Sequence, residues 1–176
     1  SPAPAAEPYV VQLARFQVDN GPYSFIVSFA EAMRHEQDRC PHVRGLAVPF
    51  DALDVRSQVM WFLQSSARIP MSLLFGRTFQ QMFAAEPQPL KFHLRAETRV
   101  PETWQEYCSL MADADTMPDL LFLQAACITY SVQLIIITET QTMLHISPGN
   151  AFRRIFLFCN QQIHWNWGAV LTAEEV

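Results

Sequence analysis

Val132-Gln133-Leu134-Ile135-Ile136-Ile137 is the stretch on which the fold turns. It is an apolar run rich in β-branched residues, which suits a pleated strand shielded on both faces. It is far shorter than the ~20 apolar residues that cross a bilayer. Thr142–Ile146 follows at hairpin distance and reads as its partner. Ser147–Asn150 is a turn, Arg154–Phe158 a further strand, and Ile163–Trp167 another after a polar turn. A compact sheet is therefore expected late in the chain.

Upstream the period changes from two to about four. After an extended lead-in at Val10–Phe16 and a turn at Asp19–Pro22, residues Phe25, Phe29 and Met33 mark a buried helical stripe. Cys40–Pro49 interrupts it. Asp51 suits an N-cap with Asp54 three residues on, and Val55, Val59 and Phe62 continue an apolar face. Ser72 suits the cap of a helix carrying Phe75, Phe79 and Met82, ended by Glu86–Pro89. Pro101 can open a helix with Trp104, Tyr107 and Met111 on one face. Asp113–Pro118 is an acidic connector, and Asp119 leads a helix through Leu120, Leu123, Gln124 and Cys127. Helices first and strands late predict an α/β (α+β) fold, a small central sheet flanked by helices. Residues 1–9, rich in Ala and Pro, read as a loose N-terminal segment without a signal peptide's apolar stretch, and residues 10–176 as a single domain.

The 176 residues are 50% hydrophobic and 16% charged, a composition that buries a core rather than staying disordered. A net charge of -5 argues against nucleic acid or anionic lipid as a general partner. Cys40, Cys108, Cys127 and Cys159 are widely spaced, and the last three lie in apolar segments, as buried thiols of a reducing compartment do. Cys40 and His42 lack a second ligand pair, so neither a metal nor a cofactor is expected. His35, His93 and His145 have no ligand spacing, the glycines never cluster into a phosphate loop, and Arg153-Arg154 is too little for a nucleic-acid footprint.

Two short runs carry possible chemistry. On a strand, His164 and Asn166 of His164-Trp165-Asn166-Trp167 point to one side and the tryptophans to the other. An amide oxygen beside an imidazole can orient a general base. The plainer reading is the polar face of an edge strand with inward tryptophans. The second run, Asn20-Gly21-Pro22-Tyr23-Ser24, enters a helix whose free amides suit an oxyanion or a thiolate, and equally suit an ordinary cap.

The chain from about Val10 to Ala169 resembles the ovarian tumour (OTU) family of deubiquitinating cysteine proteases, which have a papain-related fold. The resemblance is carried by Trp104-Gln105-Glu106-Tyr107 with Met111, by Asp119 with Leu123-Gln124-Ala125-Ala126, and by Tyr130–Ile137. Ile155-Phe156-Leu157 then leads to His164-Trp165-Asn166, where the family carries its catalytic His, an aromatic residue, and Asn or Asp. Val55-Arg56, ahead of Val59 and Phe62, also matches. At the front, Asn20-Gly21-Pro22-Tyr23-Ser24-Phe25 aligns with the family's Asp-Gly-Asn-Cys, one residue, then Phe. Gly21 and Phe25 agree, whereas the nucleophile position falls on Tyr23 and a proline occupies position 22.

A phenol is harder to ionise than a thiol, and losing the nucleophile of a comparable triad costs about a million-fold in turnover. The resemblance therefore implies a degenerate triad of Tyr23, His164 and Asn166 beside a former oxyanion loop of Asn20, Gly21, Pro22 and Ser24. On that basis the chain is expected not to be an enzyme, but an intracellular (cytoplasmic or nuclear) interaction or scaffold module that retains ubiquitin as a possible protein partner. The alternative is an active deubiquitinating hydrolase that uses Ser24 or Cys40 with His164.

Overall fold

The computed structural model describes residues 13–18, 24–39, 41, 52–93, 95–160 and 164–170. Strand β4 (Val132–Thr138) lies inside a five-stranded sheet of order β1-β7-β6-β4-β5. It pairs antiparallel with β5 (Met143–Ile146) and parallel with β6 (Arg153–Asn160). β7 (His164–Val170) returns antiparallel on β6, and β1 (Leu13–Phe16) closes the far edge against β7. The mixed sheet with helices against it is the α/β arrangement that the run of periods predicts. No helix among the described residues is long and apolar enough to cross a membrane.

Two helices bring the sheet's working end together. α1 (Ser24–Arg39) buries Phe25, Phe29 and Met33, the stripe read from sequence, against β6 and β7. Phe25 meets the Trp165 ring edge-on at 5.0 Å, and the Trp167 indole N–H donates to Glu31 at 2.6 Å. α5 (Leu120–Thr129) is apolar nearly all round because it lies between the sheet and α2 (Ala52–Ser65), with Phe122, Ala125 and Cys127 fully buried. Asp119 caps it, accepting the Phe122 N–H at 2.9 Å and the Tyr107 hydroxyl at 2.8 Å. Tyr107 belongs to α4 (Trp104–Ala112), capped by Thr103.

The acidic connector is not merely solvated. Arg56 of α2 is buried and donates to the carbonyls of Met111, Asp113 and Thr116 at 2.6, 3.3 and 3.1 Å, over the Phe122 ring. A single guanidinium thereby fixes the turn between α4 and α5, a task suited to its forked donors.

Three expectations change. The helix expected from Ser72 through Met82 is split into a 3-10 turn at Ser72–Leu74 and α3 (Phe79–Ala85). The break falls at Gly76, with φ +83°, after which Thr78 and Gln81 form a reciprocal capping box that restarts the helix. Phe75 thus leaves the apolar stripe altogether. Second, β7 is not an edge strand, since β1 pairs with it through Phe16 and Trp167. Third, Pro101 lies outside α4, which Thr103 opens. A minor two-stranded ribbon, β2 (Leu90–Lys91) with β3 (Thr98–Arg99), joins α3 to α4. The N-cap expected at Asp51 lies outside the described residues.

Candidate functional site where the first helix meets the last strand

β1 stops pairing with β7 at Phe16–Trp167, which leaves the backbone of Trp165 in need of other partners. The first turns of α1 supply them. Ser24 Oγ accepts from the Trp165 N–H at 3.2 Å, and the Ser28 hydroxyl donates to the Trp165 carbonyl at 3.0 Å. Both serines are buried. Two hydroxyls one helical turn apart therefore clamp a single residue of the strand, and with it the entry of α1 is pinned beside His164.

His164 opens β7 opposite Asn160 and is partly exposed. Asn166, opposite Phe158, is buried at 1% exposure. The two share a strand face, as the spacing predicts. The Asn166 carboxamide oxygen accepts from the Val18 N–H at 3.1 Å and so holds the chain as it leaves β1. The tryptophans face the helices, as expected. Of the remaining candidates, Ser24 is brought to the strand, but its oxygen is engaged with backbone. Asn20, Gly21, Pro22, Tyr23, Cys40 and His42 lie outside the described residues.

Three of the four thiols are described, all buried and free of disulfides, in line with their apolar surroundings in sequence. Burial pushes Cys108 up to about 11, against a smaller lowering by Gln64, and pushes Cys127 up further. Such thiols carry too little thiolate at neutral pH to attack a carbonyl. Cys159 sits directly across from Trp165, one position along from the Asn160–His164 pair. Neither Cys108 nor Cys127 is therefore placed as a nucleophile. Among the described residues no group of three or more His, Cys, Asp or Glu could hold a metal ion.

Beside Trp165 lies a groove of about 440 Å³, whose apolar walls include Leu90, Leu120, Leu123, Ile136 and Leu144. Asp119 lies on its margin, its carboxyl raised by burial although the Phe122 N–H and the Tyr107 hydroxyl favour the charged form. Tyr107 is itself held well above its ordinary value, first by burial and then by the Asp119 charge. The Trp165 indole N–H is buried with no hydrogen-bond partner among the described residues. Sequence reasoning missed this groove. Its one visible trace is Leu144, an apolar residue exposed on the hairpin strand β5.

With that geometry in view, comparison with known proteins locates the fold. No protein-family model and no curated protein matches the chain. Among solved structures, the OTU domain of OTUD1 matches with a TM-score of 0.56 at 11% identity, over 89% of this chain and 85% of that one. An OTU deubiquitinase from Wolbachia pipientis wMel, solved bound to ubiquitin, matches with a TM-score of 0.57 at 13% identity, over 90% and 96%. The chain has the fold of OTU domains.

The expectation that it is not an enzyme is corrected here. The fold it shares is that of proteins that include a deubiquitinase, and nothing in the described residues shows an inactive member. The inactive reading rested on two aligned residues, Tyr23 and Pro22, both of which lie outside the described residues. Replacing a residue in an alignment does not establish which group stands beside the imidazole.

Proposed function

We propose that this domain binds ubiquitin and acts on ubiquitin conjugates, with the tail of ubiquitin laid along the Leu120–Leu144 groove toward His164. The observation that carries the reading is the clamp of α1 on Trp165, which fixes a helix entry beside a strand that opens with His164. It is supported by the shared fold with an OTU deubiquitinase solved with ubiquitin. In this reading His164 moves the proton from the attacking group and returns it to the departing lysine amine. Asn166 is the positioning residue. One lone pair of its amide oxygen holds Val18, and the reading gives the other to the imidazole. Ser24 is also a positioning residue, because its oxygen is committed to β7.

The test combines a ubiquitin titration of the isotopically labelled domain with linkage-defined diubiquitins and a ubiquitin probe bearing a C-terminal electrophile. Shifts at Leu120, Leu123 and Leu144, cleavage lost in His164→Ala, and a mass adduct that locates the attacking group are the results expected. Neither shifts nor cleavage with ubiquitin near ~1 mM, where even weak complexes form, would refute the reading.

A further inference from the structure

Phe75 is 97% exposed, and its backbone is left-handed with φ 56°. Bulky residues avoid that region, and a phenylalanine wholly in water gains nothing from burial. The turn that holds it is nevertheless tightly built. The Met71 carbonyl accepts from the N–H groups of Leu74 and Gly76, the Arg77 carbonyl accepts from the Met71 N–H, and Arg77 N–H donates to Leu74. Gln80 N–H donates to the Ala67 carbonyl at 3.1 Å, which closes the whole loop from Ala67 to Gln80. Leu74 anchors it in the core at 1% exposure. The ring is thus presented on a rigid knob rather than left over on a loose one.

Charge says what the knob meets. From Val55 to Ala85 there is no aspartate or glutamate, in a chain with 17 of them, and the charged residues of the stretch are Arg56, Arg68 and Arg77. Arg56 is buried, whereas Arg68 and Arg77 are exposed, with Ile69 (52% exposed) between them. A groove of about 510 Å³ adjoins the loop, walled by Arg68, Ile69, Gln80 and Trp104 among others. On the nearby helix, Glu106 is turned to Arg99 at 3.6 Å.

We infer that Phe75, with Ile69, Arg68 and Arg77, forms a docking surface for an acidic amphipathic helix of a partner protein. Its apolar side receives the Phe75 ring, and its carboxylates meet the two arginines. Preorganisation explains the backbone: a ring already held outward loses little freedom on binding. A two-fold contact between copies of this chain would set Arg68 and Arg77 against themselves, which disfavours self-association through this knob. The surface is built from the α2–α3 loop, whereas the His164 site is built from α1 and β7, so this inference is independent of the proposed activity.

The probe is a fluorescein-labelled peptide with Leu at i, i+3, i+4 and i+7 and Glu elsewhere, read by anisotropy and by amide shifts at residues 69–77. A lysine-for-glutamate peptide is the control. Saturable binding is expected, weakened at least tenfold by Phe75→Ala and by Arg77→Glu, with thermal unfolding of both variants near that of the parent chain. Several results would overturn the inference: no binding of the glutamate peptide, equal binding of the lysine peptide, or binding indifferent to Phe75→Ala. So would association with phosphatidylserine vesicles, or self-association, that requires Phe75.

Discussion

Ser24→Ala separates two roles that one residue could play. Its hydroxyl accepts the Trp165 N–H at 3.2 Å, and the residue is 2% exposed, so water has no ready route to replace it. Truncation leaves a buried donor unpaired, which costs about 1–3 kcal/mol. The lost volume is one oxygen, so a cavity adds little. With a urea slope of about 2 kcal/mol/M, typical of small domains, the midpoint should fall by about 0.5–1.5 M without a change in slope. Ser28→Ala should act similarly through the Trp165 carbonyl. Because both serines hold one residue, the double variant should depart from additivity. Cleavage of diubiquitin by Ser24→Ala, assayed in the absence of denaturant, should then fall no more than the folded fraction and a loosened α1 entry explain. An unchanged midpoint with turnover down about a million-fold would make Ser24 the nucleophile and refute the positioning argument.

Asp119→Asn keeps an acceptable helix cap and the oxygen that receives Tyr107, while removing a charge that burial disfavours. The folded carboxyl is raised, so the native state binds more protons than the unfolded chain above the unfolded value near ~3.9. Its contribution is present below that value and is lost as pH rises through the folded one. Urea midpoints from acid pH to pH 7 should therefore show that fall in the parent and its absence in Asp119→Asn, and an identical profile would contradict the assignment. Phe75→Gly should raise stability by up to about 1 kcal/mol, since glycine accepts φ 56° freely and the ring contributes no burial; a lower midpoint would show that the ring packs against something. Arg56→Met should cost about 3 kcal/mol or more by stripping charged donors from the Met111, Asp113 and Thr116 carbonyls. A midpoint within ~0.2 M of the parent would argue that the connector holds itself.

What sequence made legible here is local. The β-branched run of β4, its hairpin partner, the α1 stripe and the Asp119 cap follow from side-chain period and from one side chain meeting nearby amides. The pairing of β1 with β7 does not, because Leu13 and Val170 meet across nearly the whole chain and neither strand carries a mark of the other. The same distance hid the Ser24–Trp165 bond, which spans 141 positions. Arg56 read as part of a resemblance and not as a buried anchor, since nothing in its neighbours announces three distant carbonyls. The helix expected through Phe75 failed for a local reason: spacing outweighed Gly76 and the Thr78–Gln81 box, which together encode a stop and a restart. At the site, the shared face of His164 and Asn166 was legible from strand alternation, whereas the groove beside Trp165 is assembled from six separate segments and has no contiguous signature.

The most direct measurement is a ubiquitin titration followed by amide shifts in the labelled domain, run beside a diubiquitin panel with parent and His164→Ala. Saturable shifts along Leu120, Leu123 and Leu144, with turnover that vanishes in His164→Ala, are predicted. A domain indifferent to ubiquitin at the highest soluble concentration, or one whose cleavage survives His164→Ala unchanged, would contradict the account.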